Sequence, residues 1–166
     1  MKEACETALS YVRSVGPELG INPKFFAYND VHIHFPESAT PKDGPSAGIA
    51  TALCILSAIC KVRIRNDVAM TGEIDLRGNA LPIGGLREKT NAASREHLKT
   101  VFIPKENHKD RVELPKEITD TLEIVEVSKI KDLFSGVFFD DITKMKKEIE
   151  KNTTPLGEEK NKKATK

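Results

Sequence analysis

Ser46 and Lys89 carry the strongest chemical signal in this sequence. Ser46 lies in Pro41-Lys42-Asp43-Gly44-Pro45-Ser46-Ala47-Gly48-Ile49-Ala50, where prolines and glycines turn the backbone sharply and an apolar helical pattern follows at once. A hydroxyl at or near a helix N-terminus stands beside unsatisfied N–H groups and the positive end of the helix dipole, where an oxyanion or a phosphate is stabilised. The same pattern also describes an ordinary helix start. Lys89 falls in a second helical pattern, on the face shared by Leu86, Thr90, Ala93 and His97. Desolvation penalises an ammonium on an inward face, and a neutral amine near pH 7 is a usable general base. The bland alternative is a lysine that snorkels out past Ala93. Taken together, the two residues are the parts of a Ser-Lys nucleophilic pair, in which an amine replaces the usual histidine and aspartate.

Several elements must position this pair. Residues 1–15 have apolar positions at three- and four-residue steps (Ala4, Ala8, Tyr11, Val12, Val15) and predict an amphipathic helix that Gly16-Pro17 and Gly20 end. Val31-His32-Ile33-His34-Phe35 alternates strictly and predicts a half-buried strand. A nearly all-apolar helix over 46–60 predicts a central buried element. A strand over 66–74, a hairpin turn at Asp75-Leu76-Arg77-Gly78-Asn79 and a return strand over 80–83 lead through Gly84-Gly85 into a helix over 86–97. Strands follow over 100–103 and 122–127, with a helical turn or two over 106–111 between them. Ser128 is placed to cap a helix over 129–137. This alternation predicts an α/β domain, a mixed sheet packed with helices. Beyond Asp140, Ile142, Met145 and Ile149 suit a last amphipathic helix, whereas 151–166 is lysine-rich and aperiodic and reads as a solvated, disordered tail.

Composition narrows the function classes. At 166 residues, 39% hydrophobic and 31% charged, the chain fits one ordinary domain with a real core. A net charge of +1 gives no bulk electrostatic case for nucleic acid or an anionic membrane. The most apolar run, Ile49 to Cys60, is shorter than the roughly 20 residues that span a bilayer. Cys5, Cys54 and Cys60 are an odd number with no zinc-motif spacing, which suits a reducing, intracellular setting. No signal-peptide pattern opens the sequence.

Three long blocks then match a known family. Pro41-Lys42-Asp43-Gly44-Pro45-Ser46-Ala47-Gly48, Met70-Thr71-Gly72-Glu73 and Leu81-Pro82-Ile83-Gly84-Gly85-Leu86-Arg87-Glu88-Lys89 resemble, in family order, the proteolytic domain of the Lon ATP-dependent proteases. The resemblance runs from about Met1 to Phe138, which makes residues 1–139 a proteolytic domain and 140–166 a C-terminal helix and tail. It implies the family's α/β fold, ribosomal protein S5 domain 2-like, and a serine endopeptidase with Ser46 as nucleophile and Lys89 as general base. Thr71 matches the position of a hydroxyl near the lysine amine. The family further implies unfolded or damaged polypeptides as substrates, a homohexameric ring, and a bacterial cytoplasmic or mitochondrial matrix setting. ATP and Mg would serve an ATPase module that this sequence does not contain, and the chain itself needs no cofactor. The family's domain also begins with strands that would precede Met1, so the chain reads as a fragment.

Other candidates share the neighbourhood. His32 and His34 fall on one strand face and suit a polar sheet face or an active-site wall more than a metal site, because no third ligand has a persuasive spacing. Asp43 either orients groups or occupies the cleft in a resting state, or it simply caps the turn. Glu73 follows Thr71 with strand period two and suits either a polar environment for the lysine amine or a structural carboxylate. Gly44, Ser46 and Gly48 also fit an anion cradle, which would make the domain a nucleotide or phosphate binder. A non-catalytic interaction domain is a third reading. In Gly84-Gly85-Leu86-Arg87-Glu88-Lys89-Thr90, Glu88 stands where a Walker A motif needs glycine.

Overall fold

A computed structural model describes residues 2–35 and 44–155. In chain order the elements are α1 (Lys2–Leu19), α2 (Phe25–Tyr28), α3 (Gly48–Cys60), β1 (Val68–Met70), β2 (Glu73–Ile74), β3 (Ala80–Leu81), α4 (Leu86–Arg95) and β4 (Thr100–Pro104). They continue with α5 (His108–Val112), α6 (Lys116–Thr119), β5 (Glu123–Val127), α7 (Phe134–Val137) and α8 (Lys146–Thr153). Short 3-10 turns precede α5, α7 and α8.

The centre is a parallel sheet in the order β1-β4-β5. Its strands are short, and the central one, β4, is buried along its whole length, as a parallel strand covered on both faces must be, whereas β1 is half-buried and β5 buried in part. Side-chain alternation divides the apolar residues between two cores. Val68, Met70, Phe102, Val125 and Val127 join the larger core with α1, α3, α7 and α8. Ala69, Val101, Ile103 and Ile124 join a smaller core with Leu86 and Ala93 of α4, Leu114, and Ile118 of α6. Helices therefore cover both faces of the sheet, which is the α/β architecture expected from the alternation of elements. The β2–β3 hairpin is separate and antiparallel, with Glu73 opposite Leu81. Its far end is tied to the sheet by Ala80 N–H donating to Ser128 O at 2.8 Å and Ile130 N–H donating to Gly78 O at 2.9 Å.

Four local expectations need correction. Helix α1 does not stop at Gly16-Pro17 but runs through Pro17 to Leu19. Proline in a helix gives up one hydrogen bond, and here Leu19 and Ile21 are buried in return. The stop is Gly20, at φ 95°, closed by Ile21 N–H to Gly16 O (2.9 Å) and Gly20 N–H to Pro17 O (3.3 Å), the Schellman pairing. Residues 31–35 form no strand, since they join no ladder with another described strand, and a strand exists only by pairing. The predicted strand over 66–74 divides into β1 and β2, because the chain changes partners at Thr71-Gly72. Ser128 caps no helix: the Asp132 carboxylate accepts from Ser128 N–H (3.1 Å) and Lys129 N–H (2.8 Å) at the start of the 3-10 turn Ile130–Leu133.

Residues 140–155 belong to the packed domain. Ile142 and Ile149 are fully buried, and Asn22 N–H donates to Thr153 Oγ1 at 2.9 Å. Lys151, where the composition predicts a solvated tail to begin, lies in α8, which runs on to Thr153.

Candidate active site

Ser46 is half-buried and sits in the turn ahead of α3, which begins at Gly48 rather than at Ser46 itself. Gly48 N–H donates to Pro45 O at 3.0 Å and closes that turn. Three further hydrogen bonds fasten it to the sheet. Gly72 N–H donates to Ser46 O at 2.9 Å, Ile49 N–H donates to Gly72 O at 3.1 Å, and Thr71 Oγ1 donates to Ser46 O at 3.3 Å. The serine is therefore held entirely by its backbone. Its hydroxyl has no hydrogen-bond partner among the described residues and does not cap α3. The Ser46 and Ala47 N–H groups donate to no backbone carbonyl of a described residue, so the helix start presents free donors.

Gly72 makes this approach possible. A Cβ there would lie 2.3 Å from Ile49 Cδ1 and 3.2 Å from Pro104 Cγ. Gly48 is packed in the same way, with a Cβ meeting Ile74 Cγ1 at 3.1 Å and Ile74 N at 3.2 Å. Gly44, at φ 102°, has open space around it and serves the turn.

Thr71 lies just past the carboxyl end of β1, buried, with its N–H donating to Phe102 O at 3.1 Å. Glu73 lies beyond the change of partners at Thr71-Gly72, as the first residue of β2. It is half-buried and lines a cavity of about 220 Å³ with Gly44, Pro45, Gly48, Ile74 and residues of α1; Ser46, Thr71 and Lys89 do not line it. Asp43 lies outside the described residues.

Lys89 departs from the expected burial. Helix α4 buries Leu86, Thr90 and Ala93, whereas Lys89 is half-buried, and His97 is exposed beyond the helix end at φ 55°. The helix opens at Gly85 in the left-handed region (φ 70°, ψ 33°). The Lys89 side chain folds back over this opening, where Nζ donates to Gly84 O at 3.4 Å and lies 3.7 Å from where a Gly85 Cβ would stand. No hydrogen bond joins Lys89 Nζ to Ser46 Oγ. Thr90 Oγ1 is buried and donates to Leu86 O at 2.9 Å, so this segment does not offer the lysine and hydroxyl of a phosphate loop.

Sequence reasoning missed Asn107, which is buried behind this loop. Its Oδ1 accepts from Ile83 N–H at 3.0 Å and its Nδ2 donates to Ile83 O at 2.8 Å. Asparagine before a short helix reads as a cap, and nothing in the sequence signals this use.

The histidines lie elsewhere. His32 and His34 are exposed and line a groove of about 790 Å³ with Phe25, Cys54 and Ala58. Thr51 also lines it, its Oγ1 buried without a hydrogen-bond partner among the described residues. Among the described residues no group of three or more His, Cys, Asp or Glu could hold a metal. Burial pushes the Cys60 thiol up to about 12, which leaves it inert as a nucleophile. Among the described residues no helix is long and apolar enough to cross a membrane.

Comparison with known proteins adds a family match. Residues 1–139 match the model of the Lon protease (S16) C-terminal proteolytic domain. The chain is 53% identical over 138 residues to a Lon protease of Aster yellows witches'-broom phytoplasma, covering 83% of this chain and 17% of that protein. It is 52% identical over 133 residues to Lon protease 1 of Syntrophobacter fumaroxidans (80% and 16%) and 53% identical over 130 residues to a Lon protease of Brucella suis (78% and 16%). The chain thus spans about a sixth of the length of these relatives.

Proposed function

Because the chain belongs to the Lon protease proteolytic-domain family, we propose that it is a serine endopeptidase domain in which Ser46 is the nucleophile and Lys89 its general base. The observation that carries the proposal is the turn ahead of α3. Ser46 is fixed through its backbone to Thr71 and Gly72, its hydroxyl is uncommitted, and free N–H groups stand beside it.

Ser46 Oγ attacks the scissile carbonyl and gives its proton to Lys89 Nζ. The N–H groups between Gly44 and Ala47, at the positive end of α3, hold the oxyanion of the tetrahedral intermediate. Lys89 returns the proton to the leaving amine as the acyl-enzyme forms. It then takes a proton from water, whose oxygen attacks the ester and releases Ser46. To engage Ser46, the lysine head swings from Gly84 O on a flexible stem, and catalytic hydrogen bonds commonly form only with substrate bound. Thr71 is a positioning residue, because it grips the Ser46 carbonyl. The chemistry draws on side chains and backbone alone.

In a protein of these relatives' length, the family resemblance implies unfolded or damaged polypeptides as substrates, a homohexameric ring, an ATPase module using ATP and Mg, and a cytoplasmic setting with the mitochondrial matrix as the alternative. The phosphate-binding reading is disfavoured by Gly48, whose Cβ position is closed by Ile74 rather than open to a ligand.

The test is peptide hydrolysis by the wild type, Ser46→Ala and Lys89→Met, with folding checked by circular dichroism. Both variants should fold and lose at least about 1,000-fold in turnover, and an organophosphonate should label Ser46 in the wild type alone. Activity retained by a folded Lys89→Met protein would remove the lysine from its role. ATP stimulation of this chain alone would overturn its independence of nucleotide.

A further inference from the structure

The α4 helix begins where Ile83 leaves the hairpin, and Ile83 is held by a side chain rather than a strand. Asn107 occupies the N-cap position of α5 yet makes no capping hydrogen bond. Its amide is turned inward, 2% exposed, and forms both bonds of a strand-like pair with the Ile83 backbone (3.0 and 2.8 Å). This complementarity fixes which way the amide points, since Ile83 N–H needs the oxygen and Ile83 O needs the nitrogen. The second Nδ2 hydrogen goes to Asp110 Oδ2 at 2.6 Å, which locks the amide from behind. The residue after Ile83 is Gly84, whose carbonyl receives Lys89 Nζ, and the next is Gly85, the left-handed opening of α4. An unbroken series of contacts runs from Asp110 through Asn107, Ile83 and Gly84 to the lysine amine. A cap forgone in favour of this loop costs α5 stability, and the loop it serves is the one that aims Lys89.

We infer that Asn107 is a positioning residue for Lys89, setting the amine's place by clamping Ile83 at the entry to α4. This inference rests on the assignment of Lys89 as the base. Asn107→Ala leaves Ile83 N–H and C=O without partners. Asn107→Asp keeps the shape and the acceptor for Ile83 N–H, but sets a carboxylate against Ile83 O and Asp110.

The experiment uses the whole chain with three readouts on both variants. Amide hydrogen exchange at residues 83–89 should rise by roughly tenfold, the change that losing one or two net hydrogen bonds gives a local opening equilibrium, with α3 amides unchanged. Trace acetylation by acetic anhydride, read by mass spectrometry, should change in rate at Lys89 and not at Lys61 or Lys99. For peptide hydrolysis, kcat should fall by roughly 10- to 100-fold, the scale of a misplaced catalytic group, with KM nearly constant. Unchanged exchange and unchanged Lys89 acetylation would overturn the inference, as would a rise in exchange spread evenly over the molecule. If Asn107→Ala does not fold, Asn107→Asp decides by the same readouts. If the wild type shows no turnover, the peptidase assignment fails, while exchange and acetylation still decide whether Asn107 places the lysine.

Discussion

Ser46 is held by its main chain and Lys89 by the end of its side chain, and the two were unequally legible for that reason. Proline and glycine spacing placed Ser46 in a turn, because those residues restrict the backbone directly. Helical periodicity placed Lys89 on a face, but a period of 3.6 says nothing about where four flexible methylenes carry the amine, and the lysine proved half-buried. Asp67 shows side-chain geometry at its most specific and supports a pH prediction. The Arg65 guanidinium forks onto both its oxygens (3.0 Å each), with Lys99 Nζ at 3.4 Å. The Arg65 hydrogen bond, more than the Lys99 one, holds the Asp67 carboxyl below its ordinary value. A carboxyl lowered on folding stabilises the fold above its unfolded value, about 3.9, and that contribution is lost as pH falls through the folded value. The melting temperature of Asp67→Asn should therefore fall less than that of the wild type between pH 7 and pH 3. Parallel melting curves across that range would show that the pair contributes nothing.

The sequence presents the β1–β2 segment as one strand, since no local rule marks a change of partner within Met70-Thr71-Gly72-Glu73. What divides it is tertiary: Gly72 gives its N–H to Ser46 O and its carbonyl to Ile49 N–H, so that α3 rests on the strand. The helices were more legible than their ends. The apolar face of α3 is visible from composition, whereas the passage of α1 through Pro17 depends on the burial of Leu19 and Ile21, which periodicity up to Val15 does not reveal. The glycine at the junction yields the next prediction. Gly72→Ala drives a methyl into Ile49 Cδ1 and against Pro104, so the fold should lose about 1–3 kcal/mol as an overpacked core does. Shortening the opposing side chain tests the cause. Gly72→Ala with Ile49→Val should recover part of the loss in urea denaturation, because Ile49→Val removes the clashing Cδ1. If the double variant is as unstable as the sum of the two single changes, the clash is not the origin.

At the scale of the molecule, the core extends past the family match, which ends at residue 139. Ile142 and Ile149 are fully buried in the larger core, and α8 packs on α1 and α3. Gly20, at φ 95°, lies so close that a Cβ would meet Lys146 O at 2.3 Å, and Thr153 receives Asn22 N–H. The apolar spacing of 142, 145 and 149 was visible in the sequence, but neither the seat at Gly20 nor the Thr153 bond is a matter of composition, and the lysines around them read as solvated. Burying two isoleucines is worth about 3–6 kcal/mol, a large share of the 5–15 kcal/mol that holds a domain together. Ending the chain at Phe139 should therefore lower the melting temperature by roughly 6–24 °C at 2–4 °C per kcal/mol, and it should uncover the apolar faces of α1 and α3 to a hydrophobic dye. Ile149→Ala is the graded form of the same test and should cost about 2–5 kcal/mol, with the exposed Lys147→Ala as a neutral control. A shortened chain that melts like the full one would mean that α8 lies on a core already complete without it, and the boundary at 139 would then be physical as well as familial.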